Sequence, residues 1–169
     1  MSMTIPDQDL DSVNTVQRRL AQIAFTPAGQ WYLRTVAPRV DPTLIRLTRG
    51  WTSSIGPSPR FVLVTHTGAK SGIERTTPLI YFTDAGRIIL IASNYGGTRH
   101  PAWYHNVTAN PVVQISAGRG TESFRGEELT GTERDRLWDK VKQTMPGYAT
   151  YEALAGDRTI PLLAFRPIR

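Results

Sequence analysis

A change of pattern near Pro59 constrains the fold more than any other feature of the chain. From there on, short apolar and β-branched runs alternate with glycine-bearing turns. Phe61–Thr67 is such a run, Thr76–Thr83 follows a glycine-flanked turn, and Asp84-Ala85-Gly86 turns into Arg87–Ser93. Val112–Ser116 and Glu122–Leu129 pair as another hairpin across Gly118 to Gly120, and Pro161–Arg166 is a last strand. About six short strands, mostly joined by hairpins, predict a mainly β fold: a small antiparallel barrel with peripheral helices.

The helices lie before and between those runs. Asp11 or Ser12 can cap a helix near Val13 to Ala24, with Val13, Val16, Leu20 and Ile23 on one stripe. Thr26-Pro27 opens a second helix through Trp31, Leu33 and Val36. Asp41-Pro42 repeats the start signal, and Gly50 is a stop. Residues 1–55 are thus expected to form a helical arm, followed after the Ser/Pro/Gly linker Ser53 to Pro59 by a barrel over 56–169. The arm can pack on the barrel, lid a pocket or touch a membrane. Further helices are expected over His100–Ala109, entered at Pro101, and from a Thr130/Glu133 capping box to Thr144. A helical turn is expected at Tyr148–Leu154.

Charge narrows the function classes. The chain has 169 residues and a formal net charge of +6. All of that excess lies in residues 42–121, where Arg46, Arg49, Arg60, Lys70, Arg75, Arg87, Arg99 and Arg119 face only Glu74 and Asp84. A basic band punctuated by glycine turns suits a sizeable anion. The bases are dispersed and no nucleic-acid recognition module is present, which sets nucleic acid aside. Cysteine is absent, so thiolate metal sites and cysteine nucleophiles are excluded. The N-terminus lacks the pattern of a secretory signal and no window reads as a membrane span, which fits a cytoplasmic protein.

Within the band, Lys70-Ser71-Gly72 lacks the flanking glycines of a P-loop. A glycine-flanked turn still exposes backbone N–H groups, to which Lys70, Ser71 and Arg75 add a charge, a hydroxyl and a guanidinium fork. On spacing alone, a phosphate grip and an exposed basic turn are equally good readings. His100 and His105 are five apart, off a common helical face, and His66 is remote, so no metal site is expected. No Gly-x-Ser-x-Gly elbow occurs. Trp103 and Tyr104 suit a core. Tyr148 and Tyr151 can close the barrel or aim two phenols at a cavity.

Four stretches in order carry a resemblance: Thr-Gly-x-Lys-Ser-Gly-x-x-Arg-x-x-Pro-Leu, Gly-Arg-Ile-Ile-Leu-Ile-Ala-Ser-Asn-Tyr-Gly-Gly, His-Pro-Ala-Trp-Tyr-His-Asn-Val-x-Ala-Asn-Pro and Asp-Arg-Thr-Ile-Pro. Over Phe61 to Pro167 the chain resembles the deazaflavin-dependent nitroreductase family, among the FMN-binding split-barrel-like flavin and deazaflavin oxidoreductases. The resemblance implies a split antiparallel β-barrel and a reductase using coenzyme F420, an 8-hydroxy-5-deazaflavin with a phosphate and a polyglutamate tail. Its reduced form delivers a hydride from C5 to a planar, electron-poor acceptor: a quinone, an activated enone such as a coumarin-like lactone, or a nitroaromatic. The resemblance places Lys70 and Arg75 on the phosphate and tail, with Ser71, Thr77, Pro78 and Leu79 along the same groove. It places Ala92, Ser93 and Asn94 along the ring, with Arg99 nearby, and His100, Pro101, Trp103 and Asn106 supporting it from the short helix. Tyr148 and Tyr151 flank the substrate, Tyr148 being the first candidate proton donor, and Trp31 can roof the pocket. Asn94 and Met145 stand where the nitroreductase branch often has lysine and tyrosine, which counts against nitroimidazole reduction. The alternatives are FMN or haem on the same barrel, or a non-catalytic carrier of the deazaflavin, membrane-apposed through its N-terminal helices.

Overall fold

A computed structural model describes residues 5–10, 26–48, 61–117 and 120–168. The helix expected over Val13 to Ala24, the Ser53 to Pro59 linker with the boundary at residue 55, and Gly50, Arg49, Arg60 and Arg119 lie outside the described residues.

The expected strands are present. They are β1 (Phe61–Thr67), β2 (Glu74–Asp84), β3 (Arg87–Ile91), β4 (Val112–Ser116), β5 (Thr121–Glu128) and β6 (Leu162–Pro167). All pairings are antiparallel and the sheet closes on itself in the order β1-β2-β3-β6-β5-β4. Closure follows from alternation: one face of every strand is apolar, and curling the sheet buries that face without leaving an open edge. Val62, Val64, Tyr81, Ile88, Leu90, Val113, Ile115, Phe124, Leu163 and Phe165 fill the lumen.

Helices cover what the barrel cannot bury alone. They are α1 (Pro27–Thr35), α2 (Ala37–Leu47), α3 (Ala102–Ala109), α4 (Gly131–Thr144) and α5 (Gly147–Ala155). Trp103 and Val107 of α3 join the lumen cluster. Leu137, Trp138 and Val141 of α4, with Tyr148, Tyr151 and Ala155 of α5, form a second apolar layer over Phe82, Ile89, Leu162 and Ala164. Ile45 of α2 seals Phe61 and Leu63. Residues 5–10 lash the barrel as well: the backbone of Gln8 exchanges two bonds with Thr83, and Ile5 and Leu10 are buried in different clusters.

Two expected helix starts are corrected. Thr26 does cap α1, its Oγ1 accepting from Gly29 N at 3.1 Å. Pro42, however, lies inside α2 rather than opening a helix. The Val36 carbonyl already accepts from Arg39 and Val40, so the chain is helical before it reaches the proline, which only removes one internal bond. Thr130 precedes α4 without a side-chain cap bond. Gly131, at φ +60°, turns the chain away from capping-box geometry. Glu133 meets the Arg87 guanidinium at 2.6 Å instead, a stronger charge-assisted contact than an exposed cap.

Candidate active site

Contacts around α3 bring together some of the residues singled out from sequence, Asn106 with the turn that carries Lys70 and His100 with the loop that carries Ser93 and Asn94. Four segments meet or adjoin there: the β1–β2 turn, the loop from Ala92 to Pro101, α3, and the α5–β6 connection.

The β1–β2 turn is built to present charge. Gly68 N donates to Ile73 O at 2.9 Å, and Gly72, at φ +67°, returns its N–H to Gly68 O. Ser71 Oγ folds so closely over Gly68 that a Cβ there would lie 2.5 Å from it. Lys70, Ser71 and Arg75 are all exposed. Among the described residues, neither Lys70, Arg75 nor Arg99 is ion-paired with a carboxylate. Arg87 is different and leaves the open band predicted from sequence. It is 7% exposed and sits between Asp84 and Glu133, which raise its pKa.

A polar relay fixes the base of that turn. Ala69 N donates to Asn106 Oδ1 at 2.9 Å. Asn106 Nδ2 meets His66 Nδ1 at 3.1 Å, and His66 Nε2 meets Thr77 Oγ1 at 3.0 Å. An amide nitrogen only donates, so His66 accepts at Nδ1 and donates from Nε2. Burial first, then Arg75, lowers the pKa of His66 and favours that neutral form. The relay consumes both ends of the Asn106 amide and ties α3 to the hairpin. His66 was not among the residues expected; in sequence it stood out only as remote from His100 and His105.

Strand alternation separates three of the expected groove residues. Thr77 turns inward to His66 and Leu79 packs on the lumen cluster, while Pro78 between them faces the other way.

The Ala92–Pro101 loop carries three successive left-handed residues, Asn94, Tyr95 and Gly96. Asparagine tolerates that region and glycine needs no tolerance, whereas tyrosine there is held by its surroundings. Tyr95 Oη donates to Leu33 O of α1 at 3.3 Å and its ring meets Tyr151 edge-on. Asn94 Nδ2 donates to Arg99 O at 2.8 Å. Gly96 abuts α5 so tightly that a Cβ would come within 2.8 Å of Tyr151 O.

Arg158, also not expected, reaches back from beyond α5 and donates to the carbonyls of Ala92, Ser93 and Gly97. The guanidinium has backbone partners, so no residue-type pattern advertised it; its only signal was its place in Asp-Arg-Thr-Ile-Pro. Ala92 is fully buried, with both backbone polar groups engaged within the protein. Trp103 is buried in the core, and His100 and Pro101 are half-buried. Tyr148 and Tyr151 are buried in the layer under α5, edge-on to each other at 5.7 Å. Burial, then Tyr95, pushes the Tyr148 phenol pKa up. Trp31 stands 63% exposed on α1.

A family model described as F420H(2)-dependent quinone reductase matches residues 39–167. The chain is 31% identical over 142 residues to an F420H(2)-dependent quinone reductase of Mycobacterium tuberculosis (strain ATCC 25618 / H37Rv), covering 80% of this chain and 95% of that one. It also resembles a solved F420-H2 dependent reductase, with 38% identity and a TM-score of 0.56 over 63% of this chain and 93% of that one. A chain solved as a domain-swapped dimer is 34% identical, with a TM-score of 0.58 over 83% of this chain and all of its own.

Proposed function

The chain belongs to the F420H(2)-dependent quinone reductase family, and from that premise we propose that the α3 end of its barrel grips reduced F420 and offers it a flat, electron-poor acceptor. Membership makes the protein an oxidoreductase whose cofactor is reduced F420. When bound, that cofactor supplies a hydride. The residues present fit it. Lys70 and Arg75 are exposed cations without carboxylate partners among the described residues, on a turn whose base is locked, and that single observation carries the proposal. Fixed, uncompensated charge of one sign concentrates an anionic ligand and holds it without reorganisation.

In this reading Lys70 and Arg75 take the phosphate and tail, with Ser71 and Arg99 beside them. The Ser93–Asn94 backbone forms the shelf for the ring. Ala92, Trp103 and Asn106 act from behind it, as their burial implies, with the half-buried His100 and Pro101 beside them. Thr77 and Leu79 support the groove wall from inside, and Pro78 lines its outer side. Tyr148 and Tyr151 border the acceptor. A phenol whose pKa burial has raised keeps its proton, so Tyr148 orients the acceptor oxygen by donating a hydrogen bond, and solvent supplies the proton.

Quinones are the acceptor class this reading favours, with activated enones and nitroaromatics as further candidates. No described helix is long and apolar enough to cross a membrane. We place the enzyme in the cytoplasm. Trp31 and Leu47, exposed on α1 and α2, support weak membrane association there, which liposome flotation of the full chain tests. Fluorescence titration with oxidised F420, beside FMN and NADPH, tests the cofactor assignment. Tight F420 binding with quinone-dependent oxidation of F420H2 is the expected result. Preferred binding of FMN overturns the assignment, and binding without turnover on any acceptor turns the protein into a carrier.

A further inference from the structure

The α5–β6 connection holds a group that the proposed chemistry does not use. Arg158 lies two residues beyond Gly156, whose φ of +63° ends α5. Its Nε donates to Gly97 O at 2.8 Å and Nη2 to Ser93 O at 2.6 Å. Its Nη1 lies 3.2 Å from Ala92 O and 3.1 Å from His100 Nδ1. Four of the five N–H groups of a planar fork are thereby committed, three of them to carbonyls on either side of the left-handed residues. The Ala92–Pro101 loop contains the left-handed Asn94 and Tyr95, and for tyrosine this conformation persists only where neighbours over-determine it. A guanidinium accepts nothing, so His100 must meet it with the Nδ1 lone pair and carry its proton on Nε2.

We infer that Arg158 is a positioning residue: it gathers Ala92, Ser93 and Gly97 onto one guanidinium and, through neutral His100, ties the Ala92–Pro101 loop to the entry of α3. The inference rests on the reading of that loop as the shelf for the F420 ring. Protonated His100 would turn an N–H toward the guanidinium, losing that bond and facing like charge, so the tie to the entry of α3 holds only while the imidazole is neutral, while the three carbonyl bonds remain.

The surroundings of His100 agree. Arg158 faces it from the α5–β6 connection, Tyr104 and His105 from α3, and Glu128 from β5. Burial lowers its pKa most, followed by Arg158 and then His105; Glu128 opposes them. Tyr104 Oη donates a hydrogen bond to Glu128 Oε2 at 2.7 Å, which engages that carboxylate with a neutral partner.

The test combines imidazole NMR with cofactor binding on the full chain. At about pH 7.5, wild-type His100 is expected to show a bare Nδ1 and a protonated Nε2. As pH falls toward about 5.5, the Kd for oxidised F420 is expected to rise in step with the ionisation of His100. In Arg158→Gln the repelling charge is gone, so His100 titrates at higher pH than in the wild type. The F420 Kd at about pH 7.5 rises at least tenfold, by loss of fixed loop geometry. Arg158→Lys keeps the charge, lacks the fork and does not rescue binding.

A His100 titration unchanged in Arg158→Gln overturns the inference, as does an F420 Kd unmoved in both variants. Should the variants fail to fold, the wild-type series alone decides, and binding that stays flat across the His100 titration rejects the idea. Wild-type protein that ignores F420 while showing the expected imidazole signals defeats the assignment of the shelf instead, so the two failures are distinguishable.

Discussion

The cations at the mouth of the barrel and those along α4 are the same residue types kept in opposite states. Along α4, Arg136 holds Asp84 at 3.0 Å, Lys140 holds Asp9 at 2.9 Å, and Lys142 holds Glu152 at 3.2 Å. Arg134 bonds Ile160 O and lies over the Trp138 ring. At the mouth, Lys70, Arg75 and Arg99 have no carboxylate partner among the described residues. In the proposed reading, the difference separates charge that serves the fold from charge held ready for the cofactor. Paired cations steady a helix over a sheet and cancel at a distance, whereas unpaired ones keep their field for an arriving polyanion. Arg87 shows why the count of bases in a segment is a poor guide, since its guanidinium is already spent on Asp84 and Glu133.

The sharpest way to break this contrast is at the hairpin. Lys70→Ala with Arg75→Ala is expected to raise the F420 Kd at least tenfold, since a charge-assisted hydrogen bond is worth about 1.5–3 kcal/mol. The salt dependence of binding should flatten with it. Unchanged binding at low salt would mean the tail lies elsewhere. The converse variant is Arg87→Met. Stability should fall by about 2 kcal/mol in urea unfolding, because two carboxylates lose a shared partner. The F420 Kd should stay within about twofold, because that charge was never available to a ligand.

How far such contrasts can be read from sequence depends on which partners are local. The hairpins β1–β2, β2–β3 and β4–β5 were legible because each turn advertises itself, as Gly72 and Gly86 do with their positive φ. The pairings that close the barrel, β3 with β6, β5 with β6 and β1 with β4, join distant segments, and only the need to bury one face of every strand implies them. Lys70 and Arg75 were legible as exposed turn cations. The pairing of Glu133 with Arg87 was not, and it displaced the expected capping box. His66 and Arg158 escaped for a common reason. Their partners are an amide, a hydroxyl and backbone carbonyls brought together by tertiary packing, and such partners leave no spacing rule in the chain.

Smaller effects test the uncharged side of the mouth. Tyr148→Phe should slow quinone turnover several-fold, about the loss of one hydrogen bond, while sparing the F420 Kd. A wild-type rate would remove the phenol from the acceptor site. Acid should weaken the fold itself. His66 and His100 both have pKa values depressed below the free value of 6.5, so the unfolded chain binds more protons than the folded one as pH drops past it. Stability is therefore expected to be flat above that value and to decline below it, measured as the urea midpoint across pH.

The smallest expected effect is the most telling control. Arg136 is one elementary charge, as Lys70 is, but its side chain is 55% exposed and already matched to Asp84. Removing it in Arg136→Ala leaves Asp84 with Arg87, so stability should shift by no more than about 0.5 kcal/mol. F420 affinity should not change, because this charge is already matched by Asp84 and projects little field of its own. A Kd that moved as much here as at the hairpin would show that the cofactor answers to the total charge of the protein. The unpaired state of Lys70 and Arg75 would then carry no special meaning.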